Sequence, residues 1–119
     1  MNIEDLYSRK YDADLYHCVH FVIDAAKLLF NYDYSKNFVL LTDSATHVWP
    51  SRKNVSTGIK TINPVDGCIV YMKSLLGETH VGLFIDDGVL HLTKQGVLHQ
   101  SLRQISVVYK KVKYYVSKH

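Results

Sequence analysis

At 119 residues the chain has the length of about one domain, and 47 % apolar with 21 % charged residues is an ordinary globular balance that argues against disorder. A formal charge of +3 with neutral histidines is too mild to mark a nucleic-acid binder. No apolar run approaches the roughly 18 residues of a membrane span, and no secretory-type apolar stretch follows Met1, so synthesis in the cytoplasm without a signal peptide is expected. Work in a virion or in the periplasm would then need another route, and the two cysteines are expected as free thiols.

Met1 to Lys10 is expected to hold a short helix. The stretch "LYHCVHFVIDAAKLLF", Leu15 to Phe30, follows with apolar side chains at Leu15, Val19, Val22, Ile23, Ala26, Leu29 and Phe30. These recur at three- and four-residue steps, the pattern of one helical face. Asp14 is the expected N-cap and "NYD" from Asn31 the stop, which places Cys18 near the first turn. "DSATHVWPSRKNVSTG", from Asp43, shows no sustained period and reads as a long loop, with Thr46, His47 and Trp49 as candidates for a cleft wall. Trp49 as a packing anchor is the plainer reading.

Beyond Pro64 short β-rich runs take over: "CIVYMK", "HVGLFI", "VLHLT", "GVLHQSL" and "ISVVYKKVKYYVS". Turn residues separate them at Asp66-Gly67, Gly77, Asp86-Asp87-Gly88 and Gly96. The expected fold class is α+β, with the N-terminal helix packed on a curled antiparallel sheet of about five strands, in one domain over residues 1–119. Cys68 alternates with Val70 and Met72 and is expected in the core. The lysines of "YKKVKYY" read as a solvated strand face.

A thiol at a helix start lies at the positive end of the helix dipole and needs an imidazole to take its proton. His17 and His20 flank Cys18 on its own helix, whereas His80 opens a strand that can pass beneath it. His91 lies eleven residues beyond His80. If Asp86-Asp87 form a two-residue turn, Gly82 faces His91, and His80 becomes its diagonal neighbour at roughly 7–8 Å on the same face. A three-residue loop would put the histidines on opposite faces, leaving Thr93 or Gln95 as partners of His80. Tyr16 has a hydroxyl near the helix start, and the backbone N–H of Cys18 is a natural oxyanion donor. Zinc held by His17, Cys18, His20 and His80 is the alternative chemistry. His47, His99 and His119 are expected on the surface or in loops.

Three blocks in order resemble the NlpC family of papain-like cell-wall cysteine peptidases. "YHCVHFV" stands where that family has a D-C-S-G-F-V-type helix start, "NPVDGCIVYM" where it has P-G-D-L-V-F-F, and "HVGLFIDDGVLHLT" where it has H-V-G-I-Y-x-G-x-G-x-x-I-H-A. The resemblance implies a papain-like core with Cys18 as nucleophile, His80 as general base and His91 as the residue that orients it. It places Tyr16, His17 and His20 at the oxyanion or substrate side, with His17 for the aspartate, Val19 for the serine and His20 for the glycine of the first block. It implies hydrolysis of an amide bond in peptidoglycan peptide, with no cofactor and no metal. The C-x-H-F form and the short chain are similar to bacteriophage-encoded members associated with tails, so phage tail proteins are the expected partners. A tail-assembly or structural protein that has kept the fold without turnover, and an acyltransferase or protease on another substrate, are the alternatives.

Overall fold

A computed structural model describes residues 3–12, 16–34, 59–61 and 63–116. Three helices and six strands follow one another along them: α1 (Ile3–Tyr7), α2 (Cys18–Phe30), β1 (Ile59–Thr61), β2 (Ile69–Ser74), β3 (Thr79–Ile85), β4 (Gly88–Thr93), β5 (Gly96–Gln100), α3 (Leu102–Val108) and β6 (Tyr109–Val116). The strands form one antiparallel sheet in the order β1-β6-β2-β3-β4-β5. Consecutive strands β2 to β5 make a meander, and β6 returns to the free edge of β2, so the expected α+β arrangement is present. The long loop with Thr46, His47 and Trp49 lies outside the described residues, as does His119.

Period-two alternation sorts the strand residues onto two faces, each with its own apolar cluster. Ile69, Val81, Leu83, Leu90, Leu92 and Tyr115 join Val19, Phe21, Val22, Ala25 and Ala26 of α2 on one face. Cys68, Val70, Met72, Phe84 and Val89 meet Ile105 of α3 on the other. Cys68 is therefore core, as its alternation predicts. Each fully buried large aliphatic or aromatic side chain contributes about 1.5–3 kcal/mol relative to its exposed state, so these two clusters dominate the stability.

Two helix boundaries depart from expectation. Helix α2 begins at Cys18, and its N-cap is His17 rather than the expected Asp14, which lies outside the described residues. The imidazole Nδ1 of His17 accepts from the Val19 N–H at 3.3 Å, while the His17 N–H donates to Nδ1 of His20 at 3.1 Å. Two orphan donors of the helix start are thus satisfied reciprocally, with histidines in the places usually held by Ser or Thr and Glu or Gln. At the other end Asn31 closes the helix in the left-handed region, at φ 56°. The run from Ile105 to Val108, expected in a strand, belongs to α3. Ser101 caps that helix and Gln104 bonds back to the Ser101 N–H at 2.9 Å, a capping box that overrides the β-branched content of the segment.

Candidate active site

The β3–β4 hairpin sets the imidazoles. Asp86 and Asp87 have φ 52° and 58°, the positive values of a type I′ turn, and Ile85 pairs with Gly88 across a two-residue connection. That parity puts His80 and His91 on one face, and His80 Nε2 and His91 Nδ1 share a hydrogen bond of 2.9 Å. His91, only 2 % exposed, reaches on through Nε2 to Gln100 Oε1 at 2.8 Å. Thr93 is occupied with its own turn, its hydroxyl donating to the Gly96 carbonyl at 2.9 Å, and Gln95 lies in that turn. Of the residues considered as partner to His80, His91 is the one bonded to it.

Gly82 makes this approach feasible. A Cβ there would stand 2.5 Å from Val89 Cγ1 and 3.1 Å from His91 Cβ, so any side chain would push against the strand that carries His91. Gly67, before β2, is needed for another reason: its φ of +87° belongs to the left-handed half of the map, and a Cβ would meet Tyr32 at 2.7 Å.

Cys18 joins the constellation through the backbone. The ladder between β3 and β4 runs from Ile85↔Gly88 to Leu83↔Leu90, and past its end the Val81 amide hydrogen points at the Cys18 thiol. The sulfur at the start of α2 therefore meets the peptide group that joins His80 to Val81. The N–H groups of Val19 and of Cys18 itself also face the sulfur, the arrangement of a helix N-terminus.

A cleft of about 390 Å³ is lined by His80 together with Tyr11, Glu78, Thr79, Lys94 and Tyr109, and Cys18 is not among its lining residues. The Tyr109 ring stacks on the His80 imidazole, with centroids 5.9 Å apart and planes 8° from parallel. Tyr11 and Tyr109 have hydroxyl pKa values raised first by burial and next by the nearby Cys18 sulfur, so both rings sit within electrostatic reach of the thiol. Neither tyrosine stood out in the sequence. A β-bulge explains Tyr109: the register slips between Lys73↔Lys111 and Ser74↔Tyr109, which moves Tyr109 from the face of Lys111 to the face of Val112.

Burial opposes charge on both partners. The Cys18 thiol, 1 % exposed, is pushed up to about 12 by desolvation, against the backbone N–H groups that favour the thiolate. Desolvation, and then the adjacent His91, push His80 down to about 3. Both groups are neutral at pH 7, so the resting pair is thiol and imidazole rather than thiolate and imidazolium.

Tyr16, His17 and His20, expected on the oxyanion or substrate side, have most of their hydrogen-bonding capacity used elsewhere. The Tyr16 hydroxyl donates to Asp24 Oδ2 at 2.7 Å, so its proton is directed at a carboxylate of α2. Nδ1 of each histidine accepts a backbone N–H at the helix start. His17 is held neutral, down to about 4, by burial and then by His20, so its proton resides on Nε2, which has no hydrogen-bond partner among the described residues. Among the described residues no three His, Cys, Asp or Glu side chains form a group able to hold a metal ion, so His17, Cys18, His20 and His80 do not come together as the zinc alternative needs. His99 is exposed, as expected, and bonds the Ile85 carbonyl at 2.8 Å.

No protein-family model matches the chain, and comparison with curated proteins finds no match. Among the described residues no helix is long and apolar enough to cross a membrane.

Proposed function

We propose that this chain is a cysteine hydrolase of the NlpC type, a peptidase or amidase that cleaves an amide bond in bacterial cell-wall peptide as a component of a phage particle. One observation carries the reading: the Cys18 sulfur meets the amide next to His80, and His80 is itself bonded to His91. Cys18 as nucleophile, His80 as base and His91 as orienting residue, carried by α2, β3 and β4, would supply the three roles that acyl transfer requires. The three sequence blocks supply the substrate class.

In this mechanism a substrate amide binds at the start of α2 and the Cys18 sulfur attacks its carbonyl carbon while His80 takes the thiol proton. The transfer accompanies attack, because burial favours neither charge beforehand. The carbonyl oxygen becomes an oxyanion facing the N–H of Cys18 at the start of α2, where the helix dipole adds to its stabilisation. His80 returns the proton to the departing amine, the C–N bond breaks, and a thioester remains on Cys18. Water, deprotonated by His80, releases the acid and restores the thiol. An acyltransferase would differ only in the acceptor that replaces water.

A second reading has its own observation. With Cys18 1 % exposed, the same constellation suits a tail-assembly or structural protein without turnover. Labelling with a thiol electrophile at neutral pH, mapped by mass spectrometry, separates the two. The hydrolase reading expects Cys18 to react in preference to Cys68, and the preference to vanish in His80→Ala. Equal inertness of both thiols, together with intact peptidoglycan after incubation, would establish the structural role.

A further inference from the structure

We infer that the end of the sheet carrying the β2–β3 turn is a docking surface for an anionic lipid bilayer, which goes beyond the hydrolase reading and does not rest on it. Leu75 and Leu76 stand at the tip of that turn, 78 % and 88 % exposed, between Ser74 and Gly77. The register pairs Ser74 with Tyr109, so the tip continues alongside the end of α3, where Val107 and Val108 are 72 % and 57 % exposed. Two separate elements thus bring four apolar side chains to one corner of the molecule, and a grouping of this kind marks an interaction surface.

Charge decides what covers it. Lys73 and Lys111 are direct cross-strand partners one register step behind the tip, a like-charge pairing that costs the sheet stability. Both β2 and β6 are interior strands, so these lysines guard no edge. Lys110 lies within the bulge, and Lys94 in the β4–β5 turn at the same end of the strands. Among the described residues none of these four lysines forms an ion pair, and Glu78 at the foot of the turn is the opposing charge. At the far end of the strands the sign reverses: Asp66 precedes β2 and Asp86 and Asp87 form the β3–β4 turn, set against Arg103 near the start of α3. A molecule with that polarity turns its lysine end towards an anionic surface. The apolar tip fits a bilayer as well. Side chains this exposed project from a convex corner, and acyl chains close around such a projection while lysines behind it extend to headgroup phosphates. A folded partner would instead need a matching apolar socket. Two cavities of this chain are lined by Glu78, His80 and Lys94 and by Arg9, Asp24 and Lys27, so a second copy offers the leucines charged walls.

Sedimentation of the full chain with vesicles tests the assignment. The chain should bind phosphatidylcholine vesicles that contain phosphatidylglycerol and not phosphatidylcholine alone, and added salt should weaken the binding. Leu75→Ser combined with Leu76→Ser should weaken it about tenfold or more. Lys73→Gln combined with Lys111→Gln should weaken it about twenty-five-fold, at roughly fivefold per lysine. Circular dichroism checks that both double variants stay folded. Leu76→Trp adds a reporter at the tip, and its emission should shift to the blue on anionic vesicles beyond any shift of the native chain, whose tryptophan is Trp49. Equal binding to both vesicle types, no binding, native binding by both folded variants, or an unshifted Leu76→Trp emission overturns the inference. So does self-association in analytical ultracentrifugation, in place of vesicle binding, that the leucine variant abolishes; a second copy would then cover the patch.

Discussion

The two cysteines of this chain are buried to the same degree yet sit in different chemistry. Cys18 is 1 % exposed and Cys68 is 0 % exposed, and desolvation is the leading cause that raises both thiols, to about 12 and about 11. The apolar neighbours of Cys68 are Val70, Met72, Phe84, Val89 and Ile105. Cys18 instead meets the amide that adjoins His80, at a helix N-terminus. On the proposed reading, the reactivity of a buried thiol depends less on its resting pKa than on whether a group stands ready to take the proton when a carbonyl arrives.

The largest effect expected from this contrast is in rate. Cys18 should react with a small electrophile about a hundredfold faster than Cys68 at neutral pH, and His80→Ala should remove the advantage. Comparable rates at the two thiols, followed by peptide mapping, would erase the distinction.

Stability against pH comes next. His17 and His80 have folded values of about 4 and about 3 against an ordinary 6.5, and His20 and His91 are lowered in the same direction, all led by desolvation. Below 6.5 the unfolded chain binds more protons than the folded one, so stability should be full above that value and fall as pH drops towards 4 and 3. On the alkaline side both thiols are raised above their ordinary 9.0, so stability should decline again once pH passes 9.0. Urea unfolding across pH should trace a plateau between these limits. A midpoint that holds steady under acid would mean that the histidines are solvated.

Gly82→Ala tests the Cys18 side of the contrast without replacing an ionisable group. The added methyl must displace the Val89 side chain and press on His91, at a cost of about 1–3 kcal/mol, and it should lengthen the contact between His91 and His80. Labelling of Cys18 should slow, while Cys68 should keep its native rate. A variant with native unfolding and native labelling would show that the strand has room to spare.

How far the sequence reaches differs between the parts of this molecule. The His80–His91 approach follows from parity once Asp86-Asp87 is a two-residue turn, because a one-residue change of loop would reverse a whole face. By the same rule Gln100 was accessible: Thr93 pairs with Gly96, so Gln100 falls on the face of His91, and only the second hairpin had to be counted through. Tyr109 was not accessible, since a bulge leaves no local mark in "VVYKKV". The start of α2 was misplaced because histidine is not among the preferred caps, whereas Asp14 is. Helix α3 was misassigned although Ser101 and Gln104 carry a readable capping box, since Ile105, Val107 and Val108 resemble a strand.

The smallest effect belongs to Cys68→Ala. Removing one sulfur from a packed, fully buried position leaves a small void among Val70, Met72, Phe84, Val89 and Ile105, which should cost roughly 1 kcal/mol or a little more. The value of the variant lies in what it leaves alone. Cys68 sits on the α3 face of the sheet, and the Cys18 thiol, on the α2 face, is held by backbone groups of α2 and β3 that this substitution does not touch. Cys18 labelling and its dependence on His80 should therefore persist unchanged in Cys68→Ala, measured in the same assay as the native chain. Loss of Cys18 reactivity there would mean that the two faces are coupled through the sheet, and that the packing beneath β2 and β3 helps to hold His80 in place.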